Sequence, residues 1–281
     1  MLVHEASLDP RIHPYRADLA AEKLRGSVTV PRFVTGQLLH ITKGIAPLRK
    51  AAATNAAQLS EMRYGDGFTS YENSDGWHWG QCERDGYVGY VRDEGFTQTP
   101  IDPTHRIKKL TTFLFPERSI KSPPIDTITF YSGVEVISSD GKFAELKNGG
   151  FVHAHHLTPI ADWAERDVVF TAGRMLGIPY LWGGNTPKGL DCSGLIQLAC
   201  EPAGITCPRD SDMQAAALGK VSDDPSKLHR GDIVFFPGHV GIMTDQTALL
   251  HANAYHGCVV VEPLADVVAR GDKITGVRRL T

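Results

Sequence analysis

Between residues 35 and 100 the chain is written in short apolar runs cut by turn residues. "GQLLHITKGIAPLRK", "GFTSYENSDGWHWGQCERDGYVGYV" and "EGF" predict strands joined by Ser-Asp-Gly and Asp-Gly turns. Trp77 and Trp79 alternate with His78, the period of a half-buried strand, and "GYVGYV" carries Gly89 where a tightly bent barrel strand needs it. Residues 105–158 use the same grammar, and "DGKFAELKNGGFVHAHHL" parallels "DGWHWGQCERDGYVGYV" closely enough to predict an internal repeat of a small all-β barrel. Ahead of both, "YRADLAAEKLRG" predicts a short helix closed by Gly26.

The pattern changes after "TPIADW". "DWAERDVVFTAGRMLG" places Val168, Val169, Ala172, Met175 and Leu176 at helical spacing, with Gly177 and Pro179 as the stop. "SGLIQLACEPAG" predicts a second helix closed by Gly204, and "DSDMQAAALG" a third, capped by Asp210 or Ser211. Four strand-like runs follow: "GDIVFFPG", "HVGIMTD", "ALLHAN" and "CVVVEPL". Helices succeeded by strands predict an α+β domain on a mostly antiparallel sheet. The expected layout is an N-terminal helical segment (1–34), a first barrel (35–103), a second barrel (104–160) and the α+β domain (161–281).

Composition narrows the function classes. The 281 residues are 42% hydrophobic and 22% charged, as in an ordinary globular chain. A net charge of −3 offers no footprint for nucleic acid or an anionic membrane. Glu5, Asp9 and Arg11 stand where a signal peptide needs an unbroken apolar core, so the expected location is the cytoplasm. The five cysteines are odd in number and form no CxxC pair, which argues against a disulfide framework and a cysteine-rich zinc site. His153, His155 and His156 read more simply as a strand end than as metal ligands, and no cofactor or metal is expected.

One thiol stands apart. Cys192 sits where a glycine-rich turn, "YLWGGNTPKGLD", gives way to a helix. A helix N-terminus stabilises a thiolate, and the free Cys192 N–H is available to an oxyanion. His239 opens one predicted strand and His251 lies in the next; as hairpin neighbours they supply a base and its orienter. On this reading Cys192 draws its thiolate from the helix terminus and from imidazolium at His239. Cys200, Cys207 and Cys258 read as core or structural thiols.

"PYLWGG…LDCSGLI", "RGDIVFF…HVGI" and "LLHAN" resemble the NlpC/P60 family of papain-like cysteine peptidases over residues 163–281, and the two β segments resemble bacterial SH3-like domains. The resemblance implies an α+β papain-like catalytic domain preceded by two SH3-like barrels, with Cys192 as nucleophile, His239 as base and His251 as third member. It implies substrate contacts from Tyr180 at the oxyanion site, Trp182 beside it, Asp191 and Ser193 in the pocket, and Arg209 and Ser211 of "PRDSDMQ". Core packing is the competing reading for Tyr180 and Trp182, and an Arg209–Asp210 pair for Arg209. Paired SH3-like domains resemble a subgroup that cleaves small murein peptides after γ-D-glutamate when L-alanine is free at the N-terminus. Glu61 and Tyr87 best fit the acid and tyrosine that the first barrel supplies there. The implied partner is therefore a small murein peptide, with no nucleic acid and no membrane, in cell-wall peptide recycling. A hydrolase of polymeric peptidoglycan and a non-catalytic wall-peptide binding protein are the alternatives.

Overall fold

The computed structural model describes residues 8–222, 224, 227–271 and 273–280, so the first seven residues of the expected helical segment lie outside it. The rest of that segment is not the helix predicted around "YRADLAAEKLRG". Leu19–Ala21 is a strand paired in parallel with Arg32–Val34, and only Glu22–Leu24 forms a 3₁₀ turn. Leu19, Ala20 and Ala21 are buried one after another, and Leu19 packs with Trp79 and Val88. A surface helix buries one stripe, so three consecutive buried residues overrule the helix propensity of Ala-Ala-Glu-Lys-Leu.

The chain divides into two units, Met1–Asp102 and Pro103–Thr281. The first is built on β1 (Gln37–Ile41), β2 (Ile45–Arg49), β3 (Gln58–Arg63), β4 (Gly67–Ser74), β5 (Trp77–Cys82), β6 (Val88–Arg92) and β7 (Phe96–Thr97). These form an antiparallel sheet in the order β3-β2-β6-β5-β4-β1-β7. All six residues of β5 are buried, not the alternate ones that the Trp-His-Trp pattern predicts. His78 tolerates burial because its ring is hydrogen-bonded at both nitrogens, to Ser70 Oγ and Asp93 Oδ1 at 2.8 Å each.

In the second unit, short antiparallel strands run from His105 to Pro159. This region shares a core with the residues after it. Phe130 belongs to the same apolar cluster as Leu195 and Ile196, and the Arg174 guanidinium lies 4.4 Å over the Phe130 ring.

The remainder is an α+β arrangement. α1 (Val168–Gly173) starts six residues later than "DWAERDVVFTAG" suggests: Asp167 is its cap, accepting the Phe170 N–H at 3.0 Å. The Trp163 ring instead stacks edge-on against Tyr131. α2 (Cys192–Cys200) is buried along all nine residues and continues through a 3₁₀ turn to Gly204, whose φ of +75° ends it. α3 spans Ser211–Ala217 with Asp210 at the N-cap position, and α4 spans Leu264–Ala269. The sheet comprises β8 (Lys220–Val221), β9 (Asp232–Phe236), β10 (His239–Met243), β11 (Ala248–Asn253), β12 (Cys258–Pro263) and β13 (Gly276–Arg279), in the order β8-β13-β9-β10-β11-β12. Every pairing in it is antiparallel. α2 is covered on one side by α1 and on the other by β10 and β11, which explains a helix with no polar face.

Candidate active site

The approach to Cys192 is held by one carboxylate. Asp191 caps α2 by accepting the Gly194 N–H at 2.7 Å and ties down the glycine turn by accepting the Gly183 N–H at 2.9 Å. The Arg209 guanidinium closes on the same carboxylate at 2.6 and 3.0 Å and donates to Ser193 Oγ at 2.9 Å. Gly194 is obligatory because a Cβ there would stand 2.1 Å from the Gly184 carbonyl oxygen. Turn, helix start and thiol thus form one rigid assembly.

The base comes from the sheet. His239 opens β10 directly after Gly238, whose φ is +69°. Its Nε2 lies 2.8 Å from Nδ1 of His251 on β11, so the hairpin brings the two histidines together. Gly241 leaves space for this: a Cβ there would lie 3.0 Å from the His251 Cβ. The Cys192 sulfur receives the backbone N–H groups of Ser193 and of Val240, the neighbour of His239.

Electrostatics correct one expectation. Burial, then the nearby Asp191 carboxylate, pushes the Cys192 thiol up to about 11. Burial, then His251, pushes His239 down to about 4. The resting site therefore holds a neutral thiol and a neutral imidazole at pH 7, not a preformed thiolate–imidazolium pair. The capping carboxylate opposes the helix terminus that was expected to favour the thiolate.

The other predicted residues differ in exposure and partners. Tyr180 is half-buried, its hydroxyl pushed up to about 12 by burial and then by the Cys192 and Asp191 charges, so it remains a donor. Trp182 is 69% exposed and walls no core. Ser211 is half-buried at the start of α3. Arg209, expected to face substrate or pair with Asp210, is 1% exposed and turned inward on Asp191; Asp191 and Ser193, expected in the pocket, are its buried partners. Glu61 and Tyr87 belong to the first unit and are buried there, Glu61 accepting the Gln58 amide at 3.3 Å and Tyr87 lying in that unit's apolar cluster.

Sequence reasoning missed the groups beyond His251. Its Nε2 lies 2.8 Å from Glu262 Oε1 and 2.7 Å from the Asn253 amide nitrogen. Arg270 donates to both Glu262 oxygens, at 2.8 and 2.6 Å, and holds that carboxyl down at about 2. A signal was present: Asn253 falls two residues after His251, and β12 pairs His251 with Val260, which puts Glu262 diagonally across on the same face.

Residues 177–277 match the model of the NlpC/P60 family, and residues 48–96 match that of the bacterial dipeptidyl-peptidase Sh3 domain. Dipeptidyl-peptidase 6 of Lysinibacillus sphaericus is 30% identical over 191 residues, covering 62% of this chain and 69% of that protein. Gamma-D-glutamyl-L-lysine dipeptidyl-peptidase of Bacillus subtilis is 28% identical over 180 residues, covering 59% of this chain; the chain spans only 60% of that protein's length. The crystal structure of an NlpC/P60 family protein from Bacillus cereus superposes with a TM-score of 0.72 at 22% identity, over 86% of this chain and 99% of that one, which establishes the fold. An SH3-like all-β region thus precedes an α+β catalytic domain, and the chain belongs to the NlpC/P60 family of cysteine peptidases.

Proposed function

We propose that the protein is an endopeptidase of peptidoglycan peptides that hydrolyses the bond between γ-D-glutamate and the following diamino acid, with Cys192 as nucleophile, His239 as base and His251 as its orienter. The observation that carries the roles is the 2.8 Å bond between His239 and His251, beside a thiol that receives the Val240 N–H at the start of α2. The substrate class is supported by the names of the relatives, among them the gamma-D-glutamyl-L-lysine dipeptidyl-peptidase.

The neutral resting pair sets the order of events. The Cys192 proton passes to His239 as the sulfur attacks the glutamyl carbonyl carbon. The oxyanion that forms accepts from the Cys192 N–H, which opens the helix and has no intrahelical acceptor, and from the Tyr180 hydroxyl. His239 then protonates the leaving amine. Water cleaves the thioester with the same histidine as base.

The finer reading is a preference for peptides whose L-alanine is free. Such an end exists only after the stem has been cut from the glycan, which makes the enzyme one of peptide turnover and not of wall remodelling. The test compares L-Ala-γ-D-Glu-diaminopimelate with its N-acetylated form. The expected kcat/KM ratio favours the free peptide by at least about tenfold, the scale of losing one charge-assisted hydrogen bond. Equal values, or peptides released from intact sacculi, would overturn the preference and leave the peptidase assignment standing.

A further inference from the structure

The relay behind His239 does not end at the second histidine. We propose that Glu262 is a positioning residue: its carboxylate keeps the proton on His251 Nε2, so that His251 Nδ1 accepts from His239 Nε2–H and His239 Nδ1 is left bare to receive the Cys192 proton. The inference rests on the catalytic roles proposed for Cys192 and His239.

The geometry supplies each link. Glu262 Oε1 and His251 Nε2 are 2.8 Å apart, and His251 Nδ1 and His239 Nε2 are 2.8 Å apart. Three groups besides His251 face the carboxylate, the Asn253 amide among them. Arg270 makes two bonds to it from just past α4 and is itself placed over the Tyr255 ring at 4.6 Å; His256 stands 3.4 Å from Oε2. Both keep the carboxylate ionised and therefore an acceptor only.

Asn253 offers the competing arrangement. Its Oδ1 accepts the His256 N–H at 2.8 Å, which turns its amide N–H groups toward His251 Nε2 at 2.7 Å and Glu262 Oε1 at 3.3 Å. Were Nε2 bare, Asn253 would donate to it and both rings would reverse, leaving the His239 proton on Nδ1, where it cannot accept from a thiol. The carboxylate decides between the two. A bare ring nitrogen 2.8 Å from an ionised oxygen sets lone pair against full charge, whereas an N–H there makes a charge-assisted bond. The cost is a donor-to-donor approach by the neutral Asn253 amide, the weaker of the two clashes, which a small turn of the amide toward Oε1 relieves. In the reaction itself only the Cys192 proton moves, to His239 Nδ1. The bonds to His251 and Glu262 stay in place around the imidazolium.

The experiment reads the tautomer directly. Ring ¹⁵N shifts are recorded on the histidine-labelled full chain at neutral pH, with His251 assigned from a His251→Gln variant. The expected wild-type pattern is a protonated Nε2 and a bare Nδ1 at His251. In Glu262→Gln that pattern is lost, and kcat falls by about tenfold or more with KM unchanged, the range seen when a group that orients a working imidazole is removed. A protonated Nδ1 at His251 in the wild type overturns the proposal, and so does wild-type kcat in a folded Glu262→Gln. The wild-type spectrum stands whether or not the variant folds. Failure of the peptidase reading would appear separately, as a wild-type enzyme that cleaves no γ-D-glutamyl peptide.

Discussion

Arg209→Met tests whether the inward-facing arginine is structural. The guanidinium is 1% exposed and makes two bonds to Asp191 and one to Ser193. Removing one member of a buried ion pair costs about 3–5 kcal/mol, because the remaining charge is left in the interior. Asp191 would still accept from Gly183 and Gly194, so the expected loss lies near the lower end, about 3 kcal/mol. With a urea m-value of about 2 kcal/mol per molar, that is a midpoint shift of about 1.5 M. Urea titration of the full chain followed by tryptophan fluorescence reads it, since Trp163 packs on Phe130 and Tyr131 in the core of the second unit. Adding Asp191→Asn should recover part of the loss, giving a coupling energy for the pair. A cost below about 1 kcal/mol together with a KM raised tenfold would refute this reasoning and return Arg209 to the substrate.

Three further outcomes follow from the site. Alkylation of Cys192 by iodoacetamide should be slow at pH 7 and climb through the alkaline range, because the thiol is held up at about 11; a rate plateau near pH 6 would restore the preformed ion pair. Stability should fall in acid. His239 is depressed from 6.5 to about 4, so the unfolded chain takes up its proton first, and stability present above pH 6.5 is lost as pH falls through 4, by about 3 kcal/mol. Denaturation midpoints at pH 7 and pH 4 measure this, with a shallower decline expected for His239→Asn. Gly194→Ala should destabilise the second unit by several kcal/mol or prevent its folding, since its methyl would meet the Gly184 carbonyl at 2.1 Å; a thermal melt within a degree of wild type would contradict that contact.

The elements easiest to read from sequence were those with local signals. "HVGIMTD" and "ALLHAN" are short apolar runs set off by Pro-Gly and Asp-containing turns, and "LDCSG" announces a capped helix with a thiol at its start. The histidine pair followed from treating those strands as neighbours. What was not legible depended on tertiary contacts. The Leu19–Ala21 run carries good helix formers, and pairing with Arg32–Val34 together with packing on Trp79 and Val88 makes it a strand. Arg209 beside Asp210 reads as a substrate contact or a local pair; its inward bonds run to Asp191, 18 residues away. Glu262 joins the relay only because β12 pairs with β11 in one particular register. The raised thiol and lowered imidazole come from burial, which spacing along the chain does not encode.

The central claim, that Cys192 performs the cleavage, is tested most directly by incubating L-Ala-γ-D-Glu-diaminopimelate with the wild type, Cys192→Ala and Cys200→Ala and identifying products by mass spectrometry. Cys200 is fully buried at the far end of α2 and serves as the control thiol. The account predicts L-Ala-D-Glu and free diaminopimelate from the wild type and from Cys200→Ala, and no product from a folded Cys192→Ala. Release of the same products by Cys192→Ala at the wild-type rate would contradict it.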